Sequence, residues 1–354
     1  MTGVRIVELA GIGPGPFAAT ILADLGADVL RIDRPGPQLL AGGEEDLLTR
    51  NRPSVEVDLK SEDGVAAVLD LVRKADLFIE GLRPGVTERL GLGPEACSAA
   101  NPRLVYGRMT GWGQSGPLAQ TAGHDITYTA LSGVLHGLGQ ATDRPQFPIN
   151  LLGDFGGGST FLVIGLLAAL HHARATGQGQ VVDAAILDGT AYLDLMTAGW
   201  RAGGRHTEER GTNLLDGGAP FYRLYRTADA RWMAVGALEP QFFRALSDIL
   251  GLVDQMPPQD DSSRYDEMTM LLESAFASRT MAEWTAIFEG TDACVAPVLT
   301  PTEAAAHPHL AQRSTYVDMD GVVQPAPAPR FSQTPSIRSV GTKRELADAL
   351  LRWQ

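Results

Sequence analysis

The chain has 354 residues, 44% hydrophobic and 20% charged, which suits a soluble globular protein of about two domains with a sizeable core. Its formal net charge of −13 opposes general nucleic-acid binding, which needs a basic field. The two cysteines, Cys97 and Cys294, lie far apart without ligand spacing, so neither a zinc site nor a disulfide framework is expected, and a reducing compartment fits.

The chain opens on VRIVELA, apolar and β-branched, which reads as a strand and not as a secretory leader. A cytoplasmic location is the expectation. GIGPGP then turns into a helix from Phe17 to Ala27, and VLRID forms a second strand. Further strands are expected at SVEVDL, ADLFIEG and RLVYGRM. Helical stretches separate them, including SEDGVAAVLDLVRKA with Ser61 as its N-cap. This alternation predicts an α/β fold with a parallel sheet flanked by helices.

From 109 to 200 the chain is apolar and charge-poor, and long helices are expected at 125–137, 156–175 and 183–201. The run FLVIGLLAAL, residues 161–170, is too short to span a bilayer and reads as a buried helix. Residues 202–218 are Gly-rich and polar and read as a linker. A hairpin follows in FYRLYRTADARWMAVGAL, then helices at 240–250, 264–277 and 280–289. Residues 306–335 are Pro-rich and read as irregular, and a last helix is expected at 342–352.

Three proton-handling groups stand at expected helix starts: His124 in GHDITY, Asp154 in GDFGGGS and Glu239 in GALEPQFF. For Asp154 the ordinary reading is a capping aspartate. The three following glycines suggest more, since each costs about 1 kcal/mol inside a helix and permits a close approach. The positive helix end would also favour the carboxylate. His124 reads either as a helix-entry residue or as a base, since a helix N-terminus disfavours imidazolium and leaves a neutral ring able to accept a proton. Glu239 precedes Pro240, which suits a first helical position, and alone it reads as an exposed carboxylate at a helix start.

Other motifs carry less. GIGPGP has Pro16 where a dinucleotide-binding loop has its third glycine, so a plain turn is the better reading despite Asp33 at the end of the next strand. Asp154-Phe155-Gly156 copies a kinase tripeptide without the other kinase motifs. Basic residues at loop-like positions (Arg34, Lys60, Arg83, Arg89 and Arg108) read as solvated charges or, gathered on one sheet edge, as a phosphate site.

Long segments of the chain resemble the family III CoA-transferase superfamily. They are VELAGIGPGPFAATILADLGADVLRIDRP, IEGLRPGVTERLGLGP, RMTGWGQSGP, GHDITY with NLLGDFGGGS, and GGAPFY followed by GALEPQFF. His124 and Glu239 match the racemase branch, in which a histidine–glutamate pair and an aspartate are the two bases. The resemblance implies an interlocked homodimer. It has a Rossmann-like large domain, here 1–201 with 336–354, and a small α+β domain at 219–305. The linkers would be 202–218 and 306–335, and Glu239 would come from the partner copy.

The implied activity is epimerisation of (2R)- and (2S)-2-methylacyl-CoA thioesters by 1,1-proton transfer through an enolate, an isomerase reaction of lipid and fatty-acid metabolism. The alternative in the same superfamily is a CoA-transferase with Asp154 as nucleophile. By resemblance the CoA moiety would meet Arg34, Leu59, Lys60, Arg83, Arg89, Arg108, Asp125 and Tyr128. No cofactor beyond the CoA of the substrate, no metal, no nucleic acid and no membrane is expected. Racemisation asks that Asp154 be protonated in one direction and ionised in the other, so burial must hold its pKa up against the helix dipole. Backbone N–H groups near Asp125 or Asp154 are candidates for holding the enolate oxygen.

Overall fold

The computed structural model describes residues 1–36, 46–319, 321–334 and 344–346, with 348, 351 and 353. By contacts the chain divides into two compact units, Met1–Val134 with Pro148–Leu195 and Tyr316–Gln354, and Leu135–Phe147 with Met196–Thr315. The second unit thus takes in 135–147, a stretch that sequence reading places in the large domain.

The first unit is built on β1 (Arg5–Leu9), α1 (Pro14–Asp24), β2 (Asp28–Asp33), β3 (Ser54–Glu56), α2 (Glu62–Val72), β4 (Leu77–Glu80), α3 (Val86–Arg89), α4 (Pro94–Ala100) and β5 (Val105–Thr110). It continues through α5 (Asp125–Leu131), a π-helical stretch at Leu151–Ser159, α6 (Thr160–Thr176), β6 (Val181–Ala185) and α7 (Ile186–Leu193). The six strands pair in parallel in the order β3-β2-β1-β4-β5-β6, the doubly wound order of dinucleotide-binding folds.

Helices cover both faces, which is why Leu77, Phe78 and Ile79 run apolar without alternation and every residue of β4, Glu80 included, is buried. On one face Ile6, Val29, Leu77, Ile79 and Val105 pack with Leu22 of α1 and Leu162 and Leu166 of α6. On the other, Val7, Leu30, Phe78 and Tyr106 pack with Val68 and Leu71 of α2 and with Cys97 of α4. Gly107 brings α6 onto the sheet, since a Cβ there would lie 2.9 Å from Leu166 Cδ2. Ser61 caps α2 as expected, accepting the Gly64 N–H at 3.1 Å.

Four sequence expectations are corrected. Residues 183–185 end strand β6, and the helix starts only at Ile186, because Val181 and Val182 add a β-branched edge strand to β5. The helix expected over 125–137 stops at Leu131, and Val134–Gly137 is a separate 3₁₀ turn after Gly133, which has φ +85°. The helix expected at 156–175 begins at Leu151 as a π turn. The whole stretch Leu151–Thr176 is long and apolar enough to cross a membrane by length and composition, and 39% of its most apolar window is buried, so the run expected to be a buried helix is buried on one face only. Leu162, Leu166 and Ala169 face the core, while Ile164 is 55% exposed.

The second unit carries α8 (Leu195–Ala202), whose first residue belongs to the first unit, then β7 (Tyr222–Arg226), β8 (Trp232–Gly236), α9 (Pro240–Leu250), α10 (Tyr265–Phe276), α11 (Met281–Phe288), β9 (Val295–Pro297), α12 (Pro301–Ala306) and α13 (Pro308–Gln312). The expected hairpin is present as β7 and β8, with β9 completing an antiparallel sheet. Tyr225, Met233, Phe276, Trp284 and Phe288 form its core. The 202–218 segment is ordered against 135–147: Arg210 donates to His136 O at 2.7 Å and Gln140 O at 3.0 Å.

The fourth correction concerns 306–335, expected to be irregular. It contains α13 and a hairpin of β10 (Tyr316–Met319) and β11 (Val322–Pro325). Pro308 starts the helix at a position that needs no N–H, and Gly321 supplies φ +83° near the hairpin turn. The helix expected at 342–352 falls largely outside the described residues.

Candidate active site

Adjacent strands β1 and β4 send their chains to opposite faces of the sheet, β1 into α1 and β4 toward α3 and α4. A crevice opens where the winding reverses, beyond the carboxyl ends of the strands. Here it is a cavity of about 360 Å³ lined by the 11–16 turn after β1, Ile79–Pro84 from β4 and beyond, Met109–Trp112 from β5 and beyond, and His124, Tyr128 and Asp154.

Of the residues expected to act, His124, Asp154, Tyr128 and Arg83 line this one cavity. His124 is the N-cap of α5, with extended backbone at φ −140° and ψ 170°. Its N–H donates to Thr127 Oγ1 at 3.0 Å, which fixes the helix start. The apolar residues Ile126, Ala130 and Leu131 of this helix do not face the core. Ile126 is 44% exposed, and α5 buries Asp125, Tyr128 and Thr129 instead.

Asp154 lies in the first turn of the π-helical stretch, not at its cap. Its N–H donates to Asp125 Oδ1 at 2.7 Å, and Asn150 Nδ2 approaches its Oδ2 at 3.4 Å. Burial raises the Asp154 carboxyl above its ordinary pKa, and the Asp125 charge adds to the rise. The Asn150 amide and the charge of His124 oppose it. Burial therefore wins over stabilisation of the anion, the direction an acid and base in one residue requires.

The glycines around Asp154 serve close packing by this chain itself. A Cβ on Gly153 would lie 2.3 Å from Asp125 Oδ1, and one on Gly157 2.4 Å from Thr190 Oγ1 in α7. Gly13 approaches from the other side: it has φ +65°, and its Cβ would stand 3.3 Å from Asp154 Oδ2. The GIGPGP turn is thus a strand-to-helix turn and also a wall of the cavity. Asp33, the tempting ribose acid, is taken by Arg31 at 2.8 Å.

Tyr128 fills the space that Gly111 and Gly123 leave; a Cβ on Gly111 would overlap its ring at 2.0 Å. Trp112 packs edge-on against it with centroids 4.7 Å apart. Burial pushes the phenol up, the Asp154 charge adds to the rise, and Arg83 lowers it. Asp125 is buried behind Asp154 and does not line the cavity. Burial also raises its carboxyl, against the N–H groups of Asp154 and Gly153.

The basic residues divide. Arg34 follows β2 and Lys60 follows β3; both are exposed, as are Arg83 and Arg89. Leu59 is partly buried against the α2 side of the sheet. Arg108 departs from expectation. It is 6% exposed, absent from the cavity wall, and spent on carboxylates, with Nε 2.9 Å from Glu80 Oε1 and Nη1 2.7 Å from Glu88 Oε1. Three of its N–H groups are thus directed at carboxylates and not into the cavity. Sequence reading missed Trp112, Asn150, Glu80 and Gly13, which only proximity in space marks.

Glu239 stands at the end of the β8 segment as N-cap of α9, with Pro240 at the first helical position. It is exposed, and its carbonyl accepts from Phe242 and Phe243, each at 3.0 Å. It belongs to the second unit, near enough to Cys294 that, after burial, its charge raises that thiol. A cavity of about 680 Å³ in this unit is lined by Leu215, Tyr222, Leu224, Val235 and Cys294, whereas Met233 is wholly buried in the core. Among the described residues no group of three or more His, Cys, Asp or Glu is placed to hold a metal ion.

The chain matches CoA-transferase family III over residues 1–342. It is 46% identical to the alpha-methylacyl-CoA racemase of Homo sapiens over 343 residues, 96% of this chain and 88% of that protein. With that of Mus musculus it shares 45% over 341 residues, again 96% and 88%. A CAIB/BAIF family protein from Brucella suis aligns over 100% of this chain and 99% of its own, with a TM-score of 0.83 at 25% identity. With an acid–base cavity at the switch point of a doubly wound sheet, and a match that runs nearly from end to end, the chain belongs to CoA-transferase family III.

Proposed function

We propose that this protein is a racemase that interconverts the (2R) and (2S) epimers of 2-methylacyl-CoA thioesters. The observation that carries the reading is the meeting of His124 and Asp154 in one cavity, with the Asp154 carboxyl raised by burial. The relatives named alpha-methylacyl-CoA racemase support it over the transferase alternative.

The chemistry follows from the thioester. Its α-hydrogen is acidic because the carbanion delocalises onto oxygen as an enolate. One base takes the proton from one face, and the conjugate acid of the other returns a proton to the opposite face. For one epimer neutral His124 is the base and protonated Asp154 the acid; for the other the roles reverse. A carboxyl held above its usual range is fit for both. A transferase needs only one carboxylate as nucleophile and has no use for an imidazole in the same cavity.

Glu239 of a second copy completes the pair with His124, as the family resemblance implies. Self-association is supported by the apolar surface of the first unit: Ile149, Leu195, Tyr192, Leu151 and Ile164 are each more than half exposed. The CoA moiety meets Arg34, Leu59, Lys60, Arg83, Arg89 and Tyr128, with Asp125 acting from behind Asp154. Such an enzyme serves branched-chain fatty-acid metabolism and needs no cofactor beyond the CoA of its substrate.

The test is α-proton exchange in deuterium oxide with one pure epimer and no acceptor acid. Deuterium at the α-carbon with drift toward an equal epimer mixture is the expected result. Absence of exchange, with CoA transfer once a free carboxylic acid is added, would make Asp154 a nucleophile.

A further inference from the structure

We propose that Arg108 is the positioning residue of the cavity wall that carries Arg83. It clamps both ends of the 80–88 turn and so aims Arg83 at an anionic group of the CoA. The inference rests on the reading of the cavity as a CoA-thioester site.

The clamp is built by register. Glu80, the last residue of β4, pairs with Arg108 of β5. Its Oε1 accepts from Arg108 Nε at 2.9 Å, and its Oε2 accepts the Leu82 N–H at 2.7 Å. The turn then runs through Gly81–Gly85 into α3, where Glu88 receives the other edge of the guanidinium. Arg108 Nη1 reaches Glu88 Oε1 at 2.7 Å, and Nη2 lies 3.4 Å from Oε2. Thr87 Oγ1 donates to Glu88 Oε2 at 3.1 Å and steadies that end. One planar fork thus ties residue 80 to residue 88.

Ile79–Pro84 line the cavity, but Arg108 and Glu88 do not. The clamp therefore acts on a ligand only through the turn. The turn holds Arg83, whose carbonyl accepts the Val86 N–H at 3.1 Å and whose side chain is exposed, with no ion pair or hydrogen bond among the described residues. Its charge is felt at Tyr128 across the cavity. Left alone, a long side chain on a glycine- and proline-bounded turn would sample many positions; fixing the turn removes part of the ordering cost of binding. An ammonium cannot replace the fork, because only the guanidinium presents donors to both carboxylates in one plane.

The experiment is calorimetric titration of free CoA into the full chain at pH 8, with melting temperature measured alongside. Arg108→Lys and Glu88→Gln are expected to weaken CoA binding about three- to tenfold, the scale of one charge-assisted contact. Arg83→Gln is expected to weaken it similarly, and the Arg83→Gln/Glu88→Gln double variant no further than Arg83→Gln alone. Additive losses, or wild-type affinity in Glu88→Gln, would overturn the proposal and leave Arg108 a strut for stability only. Glu88 is partly exposed, so its variant reports even where Arg108→Lys does not fold. If the unsubstituted protein itself fails to bind CoA, it is the reading of the cavity that falls.

Discussion

Asp125 holds Asp154 by its backbone: the Asp154 N–H donates to Asp125 Oδ1 at 2.7 Å, two residues ahead of Gly156–Gly158. The other Asp125 oxygen is buried and has no hydrogen-bond partner among the described residues. One carboxylate therefore shapes the turn that carries Asp154 and raises the pKa of its side chain.

Replacing Asp125 separates these two effects. Asp125→Asn keeps an acceptor for the N–H and removes the charge, so the Asp154 carboxyl titrates lower. The acidic limb of the pH–rate profile, in the direction where Asp154 is the base, shifts to lower pH. Asp125→Ala leaves buried N–H groups unpaired and costs about 1–3 kcal/mol, read from urea unfolding. An unmoved acidic limb in Asp125→Asn would show that the two carboxylates are not coupled.

Asp154→Asn removes one of the two proton carriers. Exchange of the substrate α-proton falls about 10²- to 10⁴-fold, the usual worth of a general acid or base. CoA affinity by calorimetry changes little, because the carboxyl is not among the charges proposed to hold CoA. Retention of full exchange would sink the racemase assignment.

Glu80 gives the stability a pH slope. Burial pushes its carboxyl from 4.5 up to about 7, against the Leu82 N–H and Arg108. Between those values the folded protein keeps a proton that the unfolded chain has released. This contribution is full below about 4.5 and is lost as pH rises through about 7. Its slope is at most about 1.4 kcal/mol per pH unit. Glu80→Gln should flatten urea midpoints across this window, leaving the contribution of buried Glu8, whose carboxyl is raised in the same direction by burial.

The crossing of α7 over the π turn depends on glycine. A Cβ on Gly189 would lie 1.8 Å from Gly157 O. Gly189→Ala should cost at least about 1–3 kcal/mol and lower both melting temperature and activity, since Asp154 sits on the same turn. Gly199, in α8, has nothing within 4 Å of such a Cβ. Gly199→Ala should therefore raise stability by about 0.5–1 kcal/mol. Equal melting temperatures for the two variants would refute this packing account.

If Glu239 completes the site of a second copy, two inactive proteins should complement each other. Asp154→Asn and Glu239→Gln chains, coexpressed and assembled at random, should recover about a quarter of the activity, since half the dimers carry one intact site. No recovery would place Glu239 in the site of its own chain, and a Glu239→Gln chain active by itself would place it outside the chemistry.

Sequence alone determined strands β1–β5, β7 and β8, most helices and their order, because alternation, caps and β-branched runs are local, while β6, β9, β10 and β11 became visible only in the structure. Ser61 and Pro240 mark helix starts in any context, and short apolar runs such as LFI mark strands buried on both faces. It also singled out His124 and Asp154 as residues out of keeping with apolar surroundings. Tertiary structure decided what depends on distance across the fold. It brought the 11–16 turn against Asp154, turned the apolar stripe of α5 outward, and revealed the glycines as points where helices cross. It also changed the reading of Arg108. A basic residue near a strand end looks like a phosphate ligand until two carboxylates, 28 and 20 positions away in the chain, are found on its guanidinium. Charge is a property of the residue, but whether that charge is free is a property of its neighbours, and register across a parallel sheet chooses them.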